Sequence, residues 1–296
     1  MNEFISGKNN SGISYNSDIF QVKLNNKDFA RLSEFITSEF GIKMPDIKKI
    51  MLQSRLQKRL KELDLSNFSY YVDYLFSKKG MEEEVIHMID VVSTNKTDFF
   101  RENLHFEFLL GTLLPELYPP GNKGCSRFWS AGCSSGEEPY TLAIVLSQYQ
   151  AKNPQMDFLV YGTDISTRML RTAHQAIYNE DRVNNIPLEI KSRYFLRSKN
   201  REDKKVRIIP ELREKVMFSR MNLIDNYYST PFDFDVVFCR NVLIYFDRGM
   251  QERIILKLCS KIKKDGFLFL GHSESVAGLN LPLKHIQPTI FMKLNT

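Results

Sequence analysis

The chain has 296 residues, 43% of them hydrophobic, 12% aromatic and 26% charged, with a formal net charge of +6. That length suits about two domains of ~150 residues each, and the composition is that of an ordinary soluble globular protein. No apolar run approaches the ~18 residues needed to cross a bilayer, which excludes a membrane-spanning helix and predicts no direct membrane insertion.

The stretch 1–22 is polar and rich in Asn and Ser, without the apolar core of a signal peptide. A disordered leader and a cytoplasmic protein are expected. Cys125, Cys133, Cys239 and Cys259 form no C-x-x-C pair and no metal-ligand spacing, and are read as buried free thiols. His87, His105, His174, His272 and His285 are scattered, so no metal is expected.

Residues 23–93 read as a small all-α domain. Asn26-Lys27-Asp28 precedes an apolar stripe of Phe29, Leu32, Phe35, Ile36 and Phe40, and Gly41 ends it. Pro45-Asp46 opens a second helix, with Ile47, Ile50, Met51, Leu56, Leu60 and Leu63 on its apolar side. Asn67 starts a third helix and Met81–Val92 makes a fourth. Residues 43–61 carry seven Lys/Arg against one acid, whereas 62–90 carry seven acids against two lysines. Lys48, Arg55, Arg59 and Glu62 fall on another side of the second helix. An ordinary solvated face is one reading of the basic run, and a surface for a partner with acidic helices is the other.

Residues 94–124 are expected to form a linker and a helix. Thr94, Asn95 and Thr97 are N-cap candidates before Phe99, Phe100, Phe106 and Phe108, and the helix ends near Pro115. From 125 to 296 strands alternate with helices. Strands are predicted at 127–131, 158–162, 216–219, 234–239 and 267–270, helices at 137–150, 166–176 and 248–263, and one or two last strands over 286–294. Near-continuous apolar strands separated by helices predict a doubly wound, mostly parallel α/β sheet. An antiparallel hairpin is expected as an insertion at about 180–215, where Lys205-Val206-Arg207-Ile208 alternates.

The turn Ser130-Ala131-Gly132-Cys133-Ser134-Ser135-Gly136-Glu137-Glu138 leaves the first strand and enters a helix. Two glycines suit a nucleotide-type pocket, but two acids and no lysine at its mouth are wrong for phosphate. The ligand that fits is a nucleoside with a cationic group, and S-adenosylmethionine (SAM) is the leading candidate. Asp164, ending the second strand, suits the ribose hydroxyls; an Asp capping the next helix is the alternative. Asn222-Leu223 suits adenine, with an ordinary turn as the alternative. Cys239-Arg240-Asn241-Val242 ends the fourth strand, where reacting groups gather, with Asn241 capping the next helix as the alternative. Gly271-His272-Ser273-Glu274 is read as a turn closed by local hydrogen bonds, with a direct pocket role as the alternative.

Taken jointly, Thr94-Asn95-Lys96-Thr97-Asp98-Phe99-Phe100-Arg101-Glu102, the glycine turn through Tyr140, Phe238–Asp247 and Gly271–Glu274 resemble the chemotaxis receptor methyltransferases of the CheR type over about residues 25–294. The resemblance implies a Rossmann-like class I methyltransferase sheet behind a helical receptor-recognition domain. It implies methyl transfer from SAM to glutamate carboxylates of chemoreceptor cytoplasmic helices, leaving S-adenosylhomocysteine (SAH). Cofactor contacts carry over to Asn95, Thr97, Arg101, Glu137 (or its neighbour Glu138), Asp164, Asn222, Leu223, Arg240 and Asn241. Arg240 and Tyr245 are candidates for orienting the acceptor, and Lys48, Arg55, Lys58 and Arg59 for meeting the receptor. Some members have a second acid where Ser166 stands, and others grip a receptor peptide with a glycine-containing hairpin turn; here that turn is the charged Ser198–Lys204. The rival readings are a nucleic-acid methyltransferase and a non-catalytic SAM-binding adaptor. The first lacks its Pro-Pro-Tyr-like loop after the fourth strand, so no nucleic-acid partner is expected. A monomer suffices.

Overall fold

The computed structural model describes residues 22–119, 121 and 123–294. The expected leader therefore falls outside the described residues, apart from Val22. The chain divides into two compact units: Met44–Val92 with the chain up to Ser33, and Ser93–Thr296 with Glu34–Lys43.

The first unit is helical. It contains the first part of α1 (Asn26–Phe40), then α2 (Lys49–Glu62), α3 (Phe68–Leu75) and α4 (Lys78–Val92). Asn67 caps α3 by accepting the Tyr70 amide through its side chain. Leu52, Leu56 and Leu60 of α2 pack into a core with Phe68, Tyr71, Val72, Leu75, Met88 and Ile89.

Two expectations about α2 are corrected. Ile47 and Ile50, assigned to the apolar side, are 89% and 79% exposed. Residues 46–48 form a 3-10 turn, whose three residues per turn shift the phase of the stripe that follows. Arg59, expected on the receptor-facing surface, is buried instead. Its spacing from Leu52 and Leu56 puts it on the core stripe, where Nε and Nη2 grip Glu84 at 2.8 and 2.6 Å. Glu84 is 1% exposed and also accepts the Tyr71 hydroxyl at 3.0 Å. An unpaired charge there would be strongly unfavourable, so the fork closes on its partner. Hydrogen bonding to Glu84 raises the Arg59 pKa further, against the effect of burial.

The second unit opens with an irregular segment, 93–103, where a helix with caps at Thr94, Asn95 and Thr97 was expected. Phe100 and Glu102 have φ of 54° and 55°, a left-handed conformation that no helix admits. The backbone carbonyls of Asn95, Thr97 and Arg101 instead accept side-chain donors from Ser134, Arg182 and Arg240. Helix begins at α5 (Leu104–Phe108), passes through a π turn at Leu109–Leu113 and ends as α6 (Leu114–Leu117). The wider turn precedes Pro115, which has no amide for a regular helical bond.

Then follow β1 (Gly124–Ala131), α7 (Glu137–Lys152), β2 (Met156–Asp164), α8 (Thr167–Gln175), β3 (Ile177–Asn179), α9 (Leu188–Tyr194), β4 (Phe195–Arg197), β5 (Lys205–Ile208) and α10 (Pro210–Arg213). The chain finishes with β6 (Val216–Arg220), β7 (Phe234–Cys239), α11 (Arg248–Lys261), β8 (Ile262–Leu270), β9 (Leu283–Gln287) and β10 (Ile290–Lys293). The main sheet has the order β6-β2-β1-β7-β8-β10-β9. β6, β2, β1, β7 and β8 run parallel, and β10 is antiparallel to β8 and β9.

The insertion is a three-stranded antiparallel sheet, β3-β5-β4. Sequence pattern showed β5 and implied a hairpin; β3 and β4, three residues each, are too short to leave a periodic signal. Along β1, Phe128 faces one core with α7 while Trp129 and Ala131 face the other with α11. Both faces of the sheet are covered, as a parallel sheet requires. Strand order reverses between β1 and β7, so the crevice for a ligand lies off their carboxyl ends. Cys133, Cys239 and Cys259 are buried free thiols and Cys125 is exposed, which corrects the expectation for that one residue.

Candidate active site

The turn after β1 is closed by Gly132 and Cys133, whose amides donate to the Thr163 carbonyl at 2.7 and 2.9 Å. Gly132 has φ of 84°, and a Cβ there would stand 2.4 Å from a Val242 methyl. Only glycine lets the β1 turn meet the β7 turn this closely. Ser134, itself left-handed, donates its amide to Asp164 Oδ2 at 2.8 Å. The Ser166 amide donates to Asp164 Oδ1 at 2.8 Å, while the Ser166 hydroxyl accepts from Met169 and caps α8. Capping is thus the work of Ser166, and Asp164 stands at the end of β2 beside the glycine turn.

The two acids of α7 have separate surroundings. Glu137 is 1% exposed and receives the Ser135 hydroxyl at 2.7 Å and Arg182 Nη2 at 2.6 Å. Arg182 also reaches Asp98 at 3.3 Å and donates to the Thr97 carbonyl. Burial lowers its pKa, but the hydrogen bond to Glu137 together with the charges of Glu137, Asp98 and Asp181 outweighs this, and the net shift is upward. Glu138 accepts the Ser130 hydroxyl at 2.7 Å and Arg240 Nε at 2.7 Å. Both acids sit in the first turn of α7, where the helix dipole favours negative charge. Each also has a cation from a distant segment.

Arg240 was a candidate for orienting an acceptor; the structure corrects this. Its side chain is only 2% exposed. Nη1 donates to the Arg101 carbonyl at 2.8 Å and to His105 Nδ1 at 3.0 Å, with Glu102 Oε2 at 3.4 Å. The guanidinium carbon lies 5.0 Å from the Phe106 ring centre and 5.5 Å from that of Phe238. Arg240 is a brace between β7, α7 and the 93–103 segment. Arginine cannot accept, so His105 Nδ1 carries the lone pair and Nε2–H donates to Thr289 Oγ1 at 2.9 Å. Burial first, then the charge of Arg240, pushes the His105 pKa down to about 4.

The other expected residues are placed as follows. Arg101 is half-buried and donates from Nη1 to the Lys96 carbonyl at 3.0 Å. Asn95 donates from Nδ2 to Ser93 Oγ at 3.2 Å. The Asn222 amide donates to the Glu39 carbonyl at 2.8 Å, and the buried Leu223 carbonyl accepts the Tyr228 hydroxyl at 2.6 Å. Asn241 sits at φ 60° at the end of β7. Tyr245 is half-buried in a 3-10 turn, its carbonyl accepting the Lys43 amide at 3.0 Å. The 93–103 segment, the β1 turn and the β7 turn therefore meet.

Sequence reading missed Arg182, Glu102 and His105. The histidine left no spacing signal because its partners come from β7 and the β9–β10 turn. Among the described residues, Glu102, His105 and His272 bring ligand-capable atoms within 4.8 Å of one another. Arg240 already occupies the His105 lone pair there.

The donor set fits a nucleoside carrying a cationic group. Asp164 supplies a carboxylate beside the glycine turn, Arg101 a half-exposed guanidinium, and no lysine stands among the turn residues 130–138 to hold a phosphate. The CheR methyltransferase SAM binding domain matches residues 95–292, and the CheR methyltransferase all-alpha domain matches residues 27–93.

The chain belongs to the CheR methyltransferase family.

A chemotaxis protein methyltransferase of Borreliella burgdorferi is 38% identical to it over 285 residues, covering 94% of this chain and 99% of the relative. The Escherichia coli chemotaxis protein methyltransferase is 36% identical over 88% of each chain. Chemotaxis protein methyltransferase 2 of Pseudomonas aeruginosa is 32% identical over 90% of this chain and 92% of the relative. This CheR-family chain is accordingly a SAM-dependent methyltransferase with a Rossmann-like catalytic sheet. No helix among the described residues is long and apolar enough to cross a membrane.

Proposed function

We propose that the enzyme transfers the methyl group of SAM to glutamate side chains of chemoreceptor cytoplasmic helices, forming methyl esters and leaving SAH. The observation that carries the cofactor assignment is Asp164 at the end of β2, held 2.8 Å from the amide of Ser134 in the glycine turn. The acceptor class rests on the relatives, all named chemotaxis protein methyltransferases.

When bound, SAM supplies a methyl group activated by its sulfonium. Asp164 would hold the ribose, Arg101 the methionine carboxylate through a charge-assisted fork, and Asn222 with Leu223 the adenine. Asn95, Thr97, Glu137 and Asn241 would line the remainder, with Arg240 bracing them. The residues have little proton chemistry to perform. A glutamate acceptor has a pKa of about 4.3 and is already ionised at neutral pH. The buried histidine nearest the site, His105, is neutral and engaged on both ring nitrogens, so it is not placed as a general base. The site must align a carboxylate with the methyl group and exclude water while opposite charges cancel.

Tyr245 is the remaining candidate for contacting the acceptor. Lys48, Arg55 and Lys58 of the helical unit are assigned to the receptor; the Lys58 side chain is 61% exposed. Arg55 already donates to the Val92 carbonyl and is half-buried. The reading requires neither a metal nor a nucleic acid, and treats the enzyme as a cytoplasmic monomer.

The test incubates the enzyme and labelled SAM with receptor cytoplasmic fragments or with total RNA. Base-labile label on the receptor fragment supports an ester. Label on RNA alone overturns the assignment.

A further inference from the structure

The motif Gly271-His272-Ser273-Glu274 has no place in the chemistry above, yet its geometry is directed at one of the proposed cofactor residues. The Glu274 carboxylate is buried and accepts four backbone amides. Oε2 takes Gly271 at 2.6 Å and Asn241 at 2.9 Å; Oε1 takes Val242 at 2.8 Å and Leu243 at 2.7 Å. Three of those amides are consecutive, a backbone concavity of the kind that binds anions. It is filled from within by a side chain. Burial raises the Glu274 pKa, and the four amides oppose that effect.

A second carboxylate grips the same residue from the opposite direction. Glu102 Oε1 accepts Asn241 Nδ2 at 3.1 Å and lies 3.3 Å from the His272 amide, while Oε2 faces Arg240. Burial pushes the Glu102 pKa up, but Asn241, Arg240 and His272 more than reverse this. Gly271 completes the enclosure. A Cβ there would lie 2.5 Å from Asn241 Nδ2 and 2.8 Å from the Asn241 amide nitrogen. Asn241 holds a left-handed conformation, which asparagine tolerates better than other non-glycine residues. Here Glu274 fixes its backbone and Glu102 its side chain.

We propose that Glu102 and Glu274 are positioning residues for methyl transfer, acting through Asn241. The proposal rests on the assignment of Asn241 to the cofactor. Neither carboxylate is required to touch SAM. Glu102 also ties the cofactor-facing segment 93–103 to the β7 turn, beside the Arg240 bond to the Arg101 carbonyl, so these two side chains set the spacing between the two walls of the crevice.

The test measures SAH affinity by calorimetry on the full chain, together with KM for SAM and KM for a receptor fragment. The variants are Glu102→Ala, Asn241→Ala, the double variant and Glu274→Gln. Loss of a hydrogen bond to a charged group predicts about a tenfold rise in the SAH Kd for Glu102→Ala, and a similar rise for Asn241→Ala. The double variant should be no worse than Asn241→Ala, because Glu102 acts on the cofactor through Asn241. KM for the receptor fragment should stay unchanged. Glu274→Gln places an amide donor against amides that already donate, and should raise the SAH Kd if the variant folds. If it does not fold, the Glu102–Asn241 cycle decides alone. Multiplicative losses of about a hundredfold in the double variant, or wild-type affinity in Glu102→Ala, overturn the proposal. A wild-type enzyme that binds no SAH would instead defeat the cofactor assignment itself, and this proposal with it.

Discussion

Arg240 and Glu138, 102 residues apart in the chain, meet through Nε and Oε2 at 2.7 Å, with 2% of the arginine side chain and 12% of the glutamate exposed. This pair lies where the end of β7 faces the first turn of α7. It determines how the acids of the glycine turn are presented. Glu138 is a structural counter-charge, while Glu137 has Arg182 from the inserted subdomain.

Removing Arg240 should therefore damage the fold before it damages chemistry. Arg240→Ala leaves Glu138 and Glu102 without their cation. Breaking such a buried pair costs about 3–5 kcal/mol. Urea unfolding should show a loss of that order, against a near-zero change for Lys58→Ala. A loss below ~0.5 kcal/mol would refute the bracing role.

Arg182 makes a different prediction, because its side chain is 36% exposed and its bonds hold the Thr97–Asp98 segment to Glu137. Arg182→Ala leaves the buried Glu137 carboxylate with only the Ser135 hydroxyl, so it should cost some stability, less than Arg240→Ala. It should also weaken SAH binding about tenfold, the usual effect of losing a charge-assisted bond. Calorimetry distinguishes this from an inert surface residue, whose variant would bind as wild type.

The helical unit separates two basic residues that are adjacent in sequence. Lys58→Ala should spare SAH binding and slow receptor methylation. Arg59→Ala strands Glu84 and should cost the helical unit about 3 kcal/mol or more, seen as a lower thermal midpoint. Equal stability of the two variants would contradict the burial of Arg59. Arg101→Ala, by contrast, should abolish SAH binding with Lys48 and Lys58 intact.

His105 predicts a pH dependence. Its pKa falls from 6.5 to about 4 on folding, so the unfolded chain binds more protons between those values and stability rises with pH there. The contribution is fully present above pH ~6.5 and is lost as the pH falls toward 4. Its full size corresponds to roughly 3 kcal/mol. Arg240, Glu102 and His272 are the charged or titratable groups facing the ring. Replacement by Gln should flatten the pH dependence of the unfolding midpoint between pH 6.5 and 4.5. An unchanged slope would show that another group is responsible.

Much of the site could be read before any fold was known, for local reasons. The apolar run Phe234–Cys239 is observed as a strand with the bounds read from sequence. The small-residue turn before Glu137 and the acid ending β2 follow the same short-range rules of strand, turn and cap. The segment 93–103 defied those rules. Its polar residues look like helix caps, but their carbonyls have stronger partners in Ser134, Arg182 and Arg240. The stripe of α2 was misjudged for a similar reason, since one 3-10 turn changes which residues face inward.

By itself the sequence determined the alternation of strands and helices, the small-residue turn and the acids at its mouth. Each depends on neighbours only a few residues apart. Tertiary structure alone decided which cation answers each acid, that Arg59 faces Glu84 and not solvent, and that Glu102 and Glu274 close around Asn241. The partner of a charged side chain depends on which distant segment the topology brings within about 3 Å and on how much water is excluded there. No local pattern encodes either quantity.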